Sequence, residues 1–217
     1  MTTQALPFTS ARTDLAALTR ERIMRGLADL LASASGDVTF RALSQASGVP
    51  ERTIYRHYAT KEAVFSEFWM WLNTRLGMPA PPKSPEDLVE QVPVVFAAFE
   101  AGEPLVRAML HDAQGRATRL AHTEARRAKL RDALGDILVA LEPADQRRLL
   151  SSIQVLFSAA GWENMKDYWD NTSDQAADAA QWAIRALIAQ AQRKIRQSGK
   201  PAAGKEGRAV SKKRRKG

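Results

Sequence analysis

The sequence contains no cysteine, which excludes a disulfide framework, a thiolate nucleophile and any cysteine-based metal site. That absence fits a reducing compartment. No stretch approaches the roughly 18 uninterrupted apolar residues that a membrane span requires, and residues 1–17 lack the basic start and apolar run of a signal peptide. A soluble, cytoplasmic protein is expected. Only three histidines occur, His57, His111 and His122, and no two stand at i, i+4 on one helix as a metal pair would. His111-Asp112 and His122-Thr123-Glu124 therefore read as solvated polar groups. The sequence also lacks a Gly-rich phosphate loop, a Gly-x-Ser-x-Gly elbow and a dinucleotide fingerprint. These absences argue against an enzyme, and no cofactor or metal is expected. Strand alternation and Asn-Gly hairpins are missing as well, so the fold class is all-α.

Charge is plentiful but unevenly spread. The formal net charge is +8, yet residues 193–217 hold eleven Lys/Arg against the single acid Glu206, which leaves the rest of the chain slightly acidic. Whole-chain basicity is thus a weak pointer to nucleic acid. At 217 residues the chain is long enough for one or two domains with a sizeable core.

The richest segment is residues 39–62. Thr39 can accept an orphan amide hydrogen bond just before the helical pattern Phe40, Leu43, Ala46, and Gly48 stands where a helix end favours a left-handed residue. Pro50 then supplies a pre-set φ for the start of a second short helix. The spacing predicts a helix-turn-helix. In its second helix Val49, Ile54 and Tyr58 face inward, leaving Glu51, Arg52, Thr53, Tyr55, Arg56 and His57 mostly outward, where they can meet bases and phosphates. Thr60 caps a third pattern, Val64, Phe65, Phe68 and Leu72, and Lys61 with the first-turn amides forms a phosphate site.

With those residues in place, the segment resembles the DNA-binding domain of the tetracycline-repressor (TetR) family. There the recognition helix ends in an aromatic, a variable residue, His or an aromatic and another aromatic, followed by Thr/Ser-Lys-Glu. The corresponding run is Thr53-Ile54-Tyr55-Arg56-His57-Tyr58, then Thr60-Lys61-Glu62-Ala63, and the resemblance covers about residues 19–72. The chain departs from the common pattern at Pro50, Glu51 and Arg52. The expected DNA-contacting set is Thr39, Arg41, Pro50, Arg52, Thr53, Tyr55, Arg56, His57 and Lys61. Arg52 and Thr53, at the start of the recognition helix, reach base edges, while Tyr55, His57 and Lys61 act on phosphates.

The remaining chain divides by composition. Residues 1–18 read as a flexible arm and 19–77 as the DNA-binding domain, with a first helix capped near Thr19 and a connecting helix from Thr60. Residues 78–84 form a Pro-rich linker, 85–196 a second helical domain and 197–217 a disordered basic tail. In the second domain a long helical segment is expected over 117–141, with Gly115 ending the helix before it, and the last helix is expected to start from a Ser173 cap. Ala176, Ala180, Ala183, Leu187 and Ala191 make a stripe of small residues on that last helix, suited to close packing either within the subunit or against a second copy. The resemblance implies the second copy, a homodimer built from the last two helices of the core, and an apolar sensor pocket for a small-molecule effector. Phe96, Phe99, Met109, Phe157, Trp162, Met165 and Trp169 are candidates for that lining. Together these features predict a homodimeric, ligand-responsive transcriptional repressor acting on a double-stranded operator. The alternative is an architectural or non-specific DNA binder using the basic tail, a role that does not require the long apolar second domain.

Overall fold

The computed structural model describes residues 8–33 and 37–198, with the side chains of 8–12 excepted. The described residues are all-α, with no strand among them. In chain order the helices are α1 (Phe8–Ala32), α2 (Phe40–Ser47), α3 (Glu51–His57), α4 (Lys61–Arg75), α5 (Pro85–Ala101) and α6 (Glu103–His111). They continue as α7 (Ala113–Ala121), α8 (Thr123–Ala133), α9 (Gly135–Ala140), α10 (Pro143–Leu156), α11 (Ala159–Trp169) and α12 (Ser173–Gln197).

Two compact units emerge. Among the described residues the first takes those up to Met78 together with Ala98–His122, and the second takes Pro79–Ala97 and those from Thr123 onward. Segment 98–122, expected in the second domain, thus belongs with the first unit. The reason is packing: α6 lies on α1 and α7 on α4, and Met109 is fully buried in the same apolar core as Ile23, Leu27, Leu43, Ile54, Phe65 and Phe68. Helical periodicity fixes which face of α6 is apolar but not which neighbour that face meets.

Within the first unit, helix ends follow local chemistry. The Thr39 hydroxyl accepts from the Ala42 amide and that of Thr60 from the Ala63 amide. Gly48 (φ 62°, ψ 22°) ends α2 in the left-handed region, and α4 is followed by a second left-handed glycine, Gly77 (φ 63°). Three expectations are corrected. Helix α1 starts at Phe8, so most of the proposed arm is helical; Ala11, Ala16, Ala17 and Leu18 favour helix, and the Thr19 hydroxyl bonds back to the Leu15 carbonyl at 2.8 Å instead of capping. Pro50 occupies the cap position of α3 (ψ 139°), and the helix proper begins at Glu51. Gly115 lies inside α7, whose cap Asp112 accepts from the Gly115 amide; a Cβ at 115 would stand 2.4 Å from the Met109 carbonyl oxygen, so glycine is what lets this turn close on α6.

In the second unit α12 packs against α9, α10 and α11, burying Ala176, Ala180, Ile184, Ile188, Ala191 and Ile195. The segment expected as one helix over 117–141 is broken at His122 and Leu134 into α7, α8 and α9. Thr172, rather than Ser173, caps α12 through a reciprocal box with Gln175. The Ser173 hydroxyl is engaged elsewhere: it donates to the Phe96 carbonyl at 3.1 Å and accepts from the Trp162 indole at 3.3 Å. Gln181 adds a second tie from α12 to α5, donating to the Val89 carbonyl at 2.9 Å.

Candidate nucleic-acid interface

Helix α3 is short, with seven residues and an apolar inner face. Val49, Ile54 and Tyr58 are buried, and they anchor it on the core of α1, α2 and α4. Burial, with the neighbouring Glu67 carboxylate, pushes the Tyr58 phenol well above its ordinary pKa, so this anchor stays neutral. The opposite face carries Arg52, Tyr55 and Arg56 into solvent, with Thr53 and His57 half-buried at its margins. Arg41 on α2 is exposed, Thr39 is exposed at its cap, and Lys61 stands half-buried in the first turn of α4.

Two features make this face suited to a polyanion. No ion pair engages Arg41, Arg52, Arg56 or Lys61 among the described residues, whereas Arg20, Arg25 and Arg107 of the same unit are committed to Glu67, Glu21 and Glu103. The first cations are available to a partner. Tyr55 is held in place although 54% exposed: its ring meets Phe40 edge to face at 4.4 Å. Pro50 presents only its ring at the helix start.

Further polar and ring contacts tie α4 to α1 and to the end of α7 within the same unit. Trp71 of α4 donates its indole N–H to the Glu21 carboxylate of α1 at 2.7 Å, and that carboxylate also accepts from Arg25 at 2.8 Å. The Arg25 hydrogen bond, then that of Trp71, holds the Glu21 carboxyl below the usual carboxylate range. Arg75 lies over the Trp71 ring at 5.3 Å. Trp69 stacks on His122 at 6.3 Å, a packing role for that histidine, and no group of three or more His, Asp or Glu among the described residues is arranged to hold a metal ion. Sequence reasoning gave no role to Glu21 or Arg25, and a glutamate 50 residues from its tryptophan partner carries no local signal.

The expected effector residues fall in different places. Phe99 and Met109 count with the first unit and are buried; Phe96 and Trp162 are fully buried in the second, and Phe157 is half-buried. Met165 and the 78% exposed Trp169 share an apolar groove of about 320 Å³ with Val155, Asn164 and Tyr168. The small-residue stripe also divides. Ala176, Ala180 and Ala191 are buried inside the unit, while Ala183 and Leu187 border an open groove of about 760 Å³ between α10 and α12, with Trp182 and Val155 exposed at 73% and 63%.

Residues 27–68, from the C-terminal end of α1 through α2 and α3 into α4, match a family model described as bacterial regulatory proteins, tetR family. No curated protein matches the chain.

Proposed function

We propose that the chain, whose residues 27–68 match the model of the tetR family of bacterial regulatory proteins, is a DNA-binding transcriptional regulator of that family and acts as a homodimeric, ligand-responsive repressor in the cytoplasm. The supporting observation is the outer face of α3, where Arg52 and Arg56 are exposed and engaged in no ion pair among the described residues, while Ile54 and Tyr58 fasten the helix from behind. Such a helix presents its N-terminal residues to base edges in the major groove, and two copies read half-sites about 34–36 Å apart. We assign Arg52 and Thr53 to bases and Thr39, Arg41, Tyr55, Arg56, His57 and Lys61 to the backbone, with Pro50 in van der Waals contact.

A second copy would cover the α10 and α12 face, where Trp182, Val155 and Leu187 form apolar surface. The effector proposed is an apolar small molecule, with Met165 and Trp169 as its first contacts, in a groove whose volume falls in the range of small-ligand sites. To release DNA it must bind a state of the protein in which the two recognition helices no longer match successive grooves, and bind it better than the DNA-bound state. The experiment is selection of random genomic fragments by the purified protein, followed by sequencing. Enrichment of discrete two-fold-related sites is expected. Uniform recovery of all fragments would replace this function with the architectural alternative carried by the basic tail.

A further inference from the structure

Helix α3 is too short to hold its own direction in water, and no side chain caps its start. What aims it is the turn before it. In that turn the Ser47 hydroxyl donates to the Leu43 carbonyl at 2.6 Å and accepts from the Val49 amide at 3.2 Å, and Gly48 takes the left-handed conformation. The carbonyls of Ser47 and Gly48 are left over at the end of α2, beyond the reach of its own ladder.

Both are taken up by one side chain from another helix. Nη2 of Arg22 on α1 donates to Gly48 O at 2.9 Å and to Ser47 O at 3.2 Å. The cation stands at the negative end of α2, where its charge adds to the hydrogen bonds. Its reach depends on Gly26, one turn further along the same face of α1. A Cβ there would lie 2.7 Å from the Ser47 amide nitrogen, so only glycine lets α1 approach closely enough for Arg22 to span the turn.

We propose that Arg22 is a positioning residue for DNA recognition, fixing the turn that aims α3 at the bases without reading them. The proposal rests on α3 being the recognition helix. Because Arg22 is itself exposed, the rival role is a direct phosphate contact, and the two differ in what its loss does. A lost phosphate contact weakens all DNA alike and lowers the slope of log affinity against log salt by about 0.9. A loosened turn mixes orientations of α3, so affinity falls on the preferred site and much less on random DNA.

The test compares the full-length protein with Arg22→Met and Arg22→Lys, on a selected site and on random DNA, across a salt series. Amide exchange is followed in parallel without DNA. Arg22→Met is expected to lose roughly tenfold on the preferred site, the scale of one charge-assisted hydrogen bond, with random-DNA affinity and salt slope nearly unchanged. Arg22→Lys, which keeps a cation of similar reach, recovers part of the discrimination. In the free protein Arg22→Met speeds exchange at Thr53 and Ile54, whose amides bond to the Pro50 carbonyl at 2.8 and 3.1 Å, but not in the middle of α4. Equal losses on both DNAs with a shallower slope overturn the proposal in favour of a phosphate contact. Unchanged exchange at Thr53 and Ile54 overturns it whatever the DNA shows. Should the wild-type protein prefer no sequence, the regulator reading fails, and the exchange comparison still decides the role of Arg22.

Discussion

Gly26→Ala should destabilise the protein, although alanine is the better helix former. Within a helix the substitution alone stabilises by about 1 kcal/mol. Here the new Cβ would lie 2.7 Å from both the backbone N and the Cβ of Ser47 and 2.8 Å from its Cα. Two of these atoms are backbone and cannot swing aside as the end of a long side chain can. Relief requires α1 and α2 to separate by several tenths of an ångström, and overpacking of this kind costs about 1–3 kcal/mol. With rigid neighbours the upper part of that range applies, so the clash wins by about 1–2 kcal/mol net. Taking the chain as one cooperative unit, this lowers the melting temperature by roughly 2–8 °C. Gly135→Ala is the internal control, because nothing among the described residues lies within 4 Å of a Cβ at that helical position. It should be neutral or stabilise by up to about 1 kcal/mol. The assay is thermal unfolding followed by far-UV circular dichroism, with both variants beside the wild type. A Gly26→Ala protein as stable as wild type would refute the reasoning, since the close approach of α1 to the turn would then be soft.

Four further outcomes are expected. Arg52→Ala should cost about 1–3 kcal/mol at one base pair per half-site and relax preference there, read by selection and sequencing; an unchanged sequence motif would remove Arg52 from base readout. Trp182→Glu, at an exposed position, should leave helicity intact but give monomers in light scattering at micromolar concentration; a persistent dimer would move the interface away from α12. The Glu21 carboxyl is held low by Arg25 and Trp71, so its contribution to stability is complete above the ordinary carboxylate range and lost as pH falls through the lowered value. Trp71→Phe should therefore melt below wild type at neutral pH, with a gap that narrows on acidification, and a constant gap would contradict that linkage. The tail from Lys200 lies outside the described residues; deleting it removes eight Lys/Arg and Glu206. If the tail touches DNA, each lost phosphate contact makes the salt slope shallower by about 0.9, whereas superimposable slopes would show that it does not.

The parts of the fold legible in the sequence are those governed by neighbours three or four residues apart. Thr39 and Thr60 as caps, Gly48 in the left-handed region and the inward set Val49, Ile54 and Tyr58 all obey such rules, and the structure shows each. Competition between two local solutions was harder to read. Thr172 and Ser173 are both good caps, and the choice turned on Ser173 being drawn to Phe96 and Trp162. Thr19 resembled a cap, yet the alanines before it carry the helix through. Least legible were contacts across the chain. Arg22 meets a turn 25 residues away and Glu21 meets Trp71 at 50, and no periodicity announces either. The same holds for α6, whose amphipathic pattern was clear while its partner α1 was not.

The hydrogen-bonded setting of Trp162 has an optical consequence. Its indole is wholly buried, donates to Ser173 and has the Lys166 ammonium 4.9 Å from its ring centroid. Trp169 and Trp182, in the same unit, stand in water, while Trp69 and Trp71 belong to the first unit. The five tryptophans thus form a divided set of chromophores. Trp162 emits from a dry, charged niche and is shielded from soluble quenchers, so its signal follows the integrity of the link between α11 and α12. Trp169 and Trp182 are open to iodide or acrylamide and respond to whatever covers the α10 to α12 surface. Versions of the chain each retaining a single tryptophan would report separately on folding, on surface occupancy and, through Trp71, on the contact between α1 and α4.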